Sequence, residues 1–167
     1  MTHVSRWITV IILVCTSVGL SAGGQQKMTE AQAGQKLIGT YKLISYTSFD
    51  QNGTATKLNY SVGQIAYDAA GRMSAQLMRA DRPAAGRGAS DAERVAALSG
   101  YVAYFGSYRI DAEKGIVYHH VEGSITQNML GQDMPRWYEF SPDGNSLFLQ
   151  TKTGDRVTGR LQWDRYK

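Results

Sequence analysis

The stretch Leu37-Ile38-Gly39-Thr40-Tyr41-Lys42-Leu43-Ile44-Ser45-Tyr46-Thr47-Ser48-Phe49 is rich in β-branched and aromatic residues and stops at the turn cluster Asp50-Gln51-Asn52-Gly53. Such side chains suit a pleated, half-buried surface, and Asn-Gly supplies the positive φ of a tight hairpin, so the segment reads as a strand entering a hairpin. The same grammar recurs to the end of the chain. Gln64–Asp68 is closed by Ala69-Ala70-Gly71, Arg72–Arg79 by the loop over Ala80–Ser90, and Ser107–Asp111 by Ala112–Gly115. Ile116–Ile125 leads into a loop through Gln127–Pro135, followed by Arg136–Phe140, Asn145–Lys152 and Arg156–Tyr166 with Ser141–Gly144 and Thr153–Asp155 between them. About eight to ten short strands at this spacing predict an antiparallel all-β barrel or sandwich.

One helix is predicted to interrupt the strands. Ser90 and Glu93 have the spacing of a capping box, and Val95, Leu98, Val102 and Phe105 recur at helical intervals, giving an apolar face to pack on the strands, with Gly106 as the stop. Gly100 inside that helix costs about 1 kcal/mol relative to alanine, which points to close packing against a neighbouring backbone.

Ahead of the strands, Arg6 precedes the apolar run Trp7–Leu20 and the small residues Ser21, Ala22 and Gly23. This is the grammar of a signal peptide over residues 1–23, and the run is shorter than the roughly 20 apolar residues a membrane span needs. A retained N-terminal anchor is the alternative. Cys15 follows Val14, where a lipid-attachment signal would carry a small residue. The polar segment 24–36 reads as a tether and 37–167 as a single domain, giving a periplasmic or secreted protein with no stable membrane insertion after cleavage. Cutting at Gly23 leaves about 144 residues and removes the sole cysteine, so the domain depends on one hydrophobic core rather than disulfides. The formal charge of +4 carries no basic run longer than two, which argues against nucleic-acid binding.

The ordered stretches Leu37–Tyr46, Gly71–Pro83 (GRMSAQLMRADRP), Gly100–Asp111 (GYVAYFGSYRID), His119–Ser124 and Arg136–Phe140 resemble the lipocalin-like domain family of the calycin group, over Leu37–Trp163. The resemblance implies an up-and-down lipocalin-like β-barrel of eight to ten strands with an internal cavity, here with one helix inserted mid-chain. Gly39-Thr40-Tyr41 resembles the Gly-x-Trp opening of true lipocalins, in which an aromatic plugs the closed end and an arginine of the last strand lies across it. The aromatic here is tyrosine, and the arginine is Arg160 or Arg165.

Both histidines of the predicted domain lie in Tyr118-His119-His120-Val121-Glu122. Neighbouring side chains of a strand point to opposite faces, so the pair cannot share one metal. His119 goes with Val117 and Val121, either as a hydrogen-bonded structural histidine or as a ligand contact in the lumen. His120 goes with Glu122, either on an exterior polar face or as an acid/base pair. A metal would need a third ligand such as Asp133 or Glu139, and neither metal nor cofactor is expected. No Gly-x-Ser-x-Gly nucleophile elbow occurs. Arg136 and Tyr138 share a face with Phe140 and can hold a ligand carboxylate or enolate, or Arg136 can bridge to Glu122 or Asp133 at the barrel mouth.

Two functions follow. In the first, an exported barrel binds a small hydrophobic ligand through His119, Arg136, Tyr138, Met73, Leu77 and Tyr104. Burying about 300 Å² of apolar ligand would supply roughly 7 kcal/mol before association costs. In the second, His120, Glu122, Arg136 and Tyr138 converge in that cavity as a cofactor-independent isomerase, cyclase or dehydratase.

Overall fold

The Asn52-Gly53 turn forms as expected. Gly53 has φ +81°, and the Asp50 carboxylate accepts from the amides of Asn52 and Thr54 at 2.8 Å. The computed structural model describes residues 28–167, so the signal-peptide reading of 1–23, Cys15 and the first part of the tether lie outside the described residues. From that hairpin outward the strands are β1 (Gly39–Phe49), β2 (Ala55–Lys57), β3 (Tyr60–Tyr67), β4 (Arg72–Arg79), β5 (Tyr101–Asp111), β6 (Ile116–Ser124), β7 (Asp133–Phe140), β8 (Ser146–Thr153) and β9 (Arg156–Arg165). Helix α1 (Glu30–Leu37) precedes them and α2 (Asp91–Ser99) separates β4 from β5.

Every strand pairs antiparallel with its neighbour. The pairing of β1 with β9 closes an eight-stranded ring of β1 and β3 to β9, and β2 is an extra short strand on the far end of β1. Closure leaves no free edge in the ring to recruit another chain. Of the four register shifts among the described strands, two tune which side chains enter the barrel. On β1 an extra residue between Leu43 and Ser45 shifts the register against β9, so that Tyr41, Leu43 and, three positions on, Tyr46 all face inward. On β6 Glu122 is the extra residue, because Gly106 pairs with Val121 while Phe105 pairs with Gly123.

Part of the predicted tether is helical. Thr29 caps α1 and exchanges a full capping box with Gln32, a signal that the tether reading passed over. Ala33 and Leu37, four apart on one face, are buried against the barrel end. The arginine that lies across the plug is Arg165, not Arg160. Its guanidinium stacks on the Tyr41 ring at 4.6 Å and donates to Ile38 O at 2.8 Å, Lys36 O at 2.7 Å and the Tyr41 hydroxyl. These bonds satisfy carbonyls left open at the end of α1, where a cation also suits the helix dipole. Arg160 faces outward over the Phe148 ring. Gly39, at φ +144°, leaves the space that Arg165 occupies.

The mid-chain helix is shorter than predicted. Its capping box forms, but α2 ends at Ser99, and Val102 and Phe105 belong to β5. The expected apolar face does not pack: Val95 and Leu98 are exposed, and Ala97 is the buried residue. Gly100 is the C-cap, close to the Arg82 side chain rather than to a neighbouring backbone, and Arg82 Nε donates to Ala97 O at 2.7 Å. Phe105 instead covers Gly123 from outside. Gly106 is no helix stop. It sits opposite the β6 bulge, where a β-carbon would collide with the His120 carbonyl oxygen.

Candidate functional site

The barrel is filled with side chains at the α1 end and hollow toward the other. Trp163, Tyr41, Leu37, Ile65, Leu147, His119, Val117 and Val121 are its largest fully buried side chains. Beyond them lies a cavity of about 200 Å³. Ile65, Ala75, Leu77, Leu149 and Leu161 form much of its wall, inward-facing positions of four different strands. Tyr46, Tyr104 and Trp163 add aromatic surface. Met129, Met134 and Arg136 line the cavity and also an outer depression, so they separate it from solvent.

His119 belongs to the apolar face, as its neighbours Val117 and Val121 predicted, and is fully buried. It does not line the cavity. Its Nε2 lies 2.7 Å from the Tyr67 hydroxyl and its Nδ1 3.0 Å from the Tyr104 hydroxyl. Burial, with a smaller push from the nearby Arg136 charge, holds the imidazole well below its usual range, so it is neutral near pH 7. Burial raises both phenols in turn, Tyr67 strongly, and keeps them protonated. The result is a neutral phenol–imidazole–phenol chain whose Tyr104 end lines the cavity.

Among the described residues Arg136 is the sole charged side chain on the cavity wall. It lies beside the Tyr104 hydroxyl, and its Nη1 donates to Pro135 O at 2.9 Å. Among the described residues no carboxylate lies within ion-pair distance of it, so the expected bridge to Glu122 or Asp133 is not made. Those acids have other partners. Arg72 grips Glu122 with two bonds of 2.7 Å and holds its carboxyl below the usual range. Asp133 accepts from His120 Nδ1 at 2.9 Å and Arg109 at 3.3 Å.

His120 and Glu122 are therefore on the outer face, half exposed and separately paired, and they bring no acid/base function to the cavity. Alternation along β6 sends them outward once His119 and Val121 are buried. Tyr138 faces inward, opposite Leu149, but packs against Phe140 at the α1 end, where both border a groove with Lys36 and Gly115. It does not join Arg136 in the cavity. Met73 is buried in the filled half and does not line the cavity either. Of the predicted ligand contacts, Leu77, Tyr104 and Arg136 reach it.

Sequence reasoning passed over Trp163, Tyr46, Ala75, Met129 and Met134. Ala75 was legible, two residues from both Met73 and Leu77 on one strand face. Trp163 alternates in step with Leu161, whereas Tyr46 was hidden by the β1 bulge. Trp163 is buried, and its indole N–H has no partner among the described residues. Among the described residues no three metal-ligating side chains come together, and no helix is long and apolar enough to cross a membrane.

A family model described as a lipocalin-like domain matches residues 38–166. No curated protein matches the chain. Similar solved structures include a redesigned β-barrel, 11% identical with a TM-score of 0.42 over 85% of this chain and 100% of that one. A de novo designed fluorescence-activating β-barrel is 13% identical with a TM-score of 0.42, over 83% of this chain and 100% of that one.

Proposed function

The chain belongs to the lipocalin-like domain family, and from that premise we propose that it is an exported binding protein that holds a small, largely apolar molecule inside the barrel. The observation that carries this reading is the hollow half of the barrel, a space of about 200 Å³ walled mainly by Ile, Ala, Leu, Met and aromatic side chains. Its size limits the ligand. An apolar cavity of about 150 Å³ accepts benzene, so this one suits about six to ten non-hydrogen atoms. That is smaller than the ligand expected from the sequence. Such a molecule buries on the order of 150 Å² of apolar surface, about 4 kcal/mol, and the loss of translational and rotational freedom offsets most of that. Apolar contact alone therefore yields binding no tighter than millimolar, and polar contacts set the affinity.

The test is a ¹⁹F NMR titration of the neutral probe 4-fluorotoluene with purified protein. Saturable exchange broadening at millimolar probe supports the reading, and a resonance unaffected by protein rejects it. Export is tested by the mass of the protein recovered outside the cytoplasm, which is expected to lack residues 1–23.

A further inference from the structure

Counting protons along the Tyr67–His119–Tyr104 chain gives the cavity a polarity. A neutral imidazole carries one N–H and one lone pair, so one of the two phenols must donate to it and the other must accept from it. If Tyr104 donated to Nδ1, the N–H at Nε2 would point to Tyr67, and the hydroxyl proton of Tyr67 would be left over. Tyr67 is buried, and its hydroxyl has no second partner among the described residues. A buried donor without an acceptor is disfavoured. In the opposite arrangement Tyr67 donates to Nε2 at 2.7 Å and Nδ1–H donates to Tyr104 at 3.0 Å. The leftover proton is then that of Tyr104, which lines the cavity.

The other unused polar groups there can also donate, the Tyr46 hydroxyl among them. Arg136 lies beside Tyr104 without a carboxylate partner among the described residues, and the indole N–H of Trp163, a lining residue, is unpartnered. Among the described residues the lining holds no acidic side chain. A ligand bearing only hydrocarbon leaves these donors unanswered, and a cationic ligand is repelled by Arg136.

We propose that the ligand is a small carboxylate with an apolar body, its oxyanion held between the Arg136 guanidinium and the Tyr104 hydroxyl, with His119 and Tyr67 as positioning residues that aim the Tyr104 proton into the cavity. This rests on the reading of the barrel as a small-molecule binder. Tyr104 and Arg136 are contributed by β5 and β7, which leaves Ile65 and Leu161, on β3 and β9 across the ring, for the apolar body.

The experiment compares phenylacetate with the neutral, similarly sized 2-phenylethanol by isothermal titration calorimetry, and reads the His119 tautomer by long-range ¹H–¹⁵N NMR. A charge-assisted hydrogen bond changes affinity about 10- to 100-fold. Phenylacetate is expected to bind at least about 10-fold more tightly than the alcohol, and this preference falls below about 3-fold in Tyr104→Phe and in Arg136→Gln. His119 is expected as the Nδ1–H tautomer. Equal binding of acid and alcohol overturns the carboxylate assignment while leaving the binding reading intact. An Nε2–H tautomer overturns the role given to His119 and Tyr67. If neither probe binds at millimolar concentration, the proposal and the reading beneath it both fail.

Discussion

Arg165, the last residue of β9, stacks on the ring of Tyr41 near the start of β1, and the two together tie α1 to the closed end of the barrel. Tyr41 is fully buried, its hydroxyl lying 2.9 Å from Lys36 O and 3.0 Å from Leu37 O, while Arg165 donates to Lys36 O and Ile38 O. Strand closure and helix docking thus share one cluster. Arg165→Ala is expected to cost about 3 kcal/mol in urea unfolding, since charged hydrogen bonds are lost and carbonyls are left open. Arg160→Ala, on the outer face, should change stability by less than about 0.5 kcal/mol. Hydrogen exchange over 30–38 should accelerate in the first variant and not in the second.

His119 predicts a pH dependence of stability. Its pKa is depressed in the fold, mainly by burial among Tyr67, Tyr104 and Val121 and further by Arg136, and returns to about 6.5 on unfolding. Below about 6.5 the unfolded chain therefore binds a proton that the folded chain refuses. Stability is full above that pH and declines as pH falls toward the folded value, by about 1.4 kcal/mol between pH 7.5 and 5.5. The depressed carboxylates Asp133 and Glu122 act at lower pH and do not account for this window. Urea unfolding at the two pH values checks it, and His119→Gln should flatten the difference.

Gly106→Ala is expected to destabilise by about 3 kcal/mol or more, because the new methyl meets the His120 backbone, which cannot yield without breaking the β5–β6 ladder. Gly123→Ala should cost less. Its methyl meets the ring of Phe105, and that exposed side chain can swing away. Thermal melts of the two variants give the order.

Ala75→Leu should trade binding for stability. Ala75 is buried on the cavity wall, and the added branch occupies space that a ligand would fill. Probe affinity is expected to fall at least about 10-fold while the melting temperature holds or rises, as in cavity filling.

The barrel was legible because turn residues and alternating strands are local signals, and the Tyr41 plug followed from the family resemblance. The limit of α2 was not. Val95, Leu98, Val102 and Phe105 fit helical spacing by coincidence across a helix–strand junction, since Gly100 and the register of β5 with β4 and β6 override the pattern. For β6, alternation separated the two histidines correctly, and the structure supplied which face points inward. The cavity wall was only partly legible. Bulges at Ile44 and Glu122 change face assignments without a mark in the sequence. The height of a residue along the barrel, which excludes Met73 and Tyr138 from the cavity, depends on strand stagger rather than on any one strand's pattern.

Whether the hollow half of the barrel is a ligand site is tested most directly by a crystal structure of the protein soaked with bromobenzene, phased to locate the bromine by anomalous scattering. A bromine inside the barrel, in contact with Leu77, Leu161 and Tyr104, is the expected result. A cavity that stays empty, or bromine found only on the outer surface, would contradict the binding function.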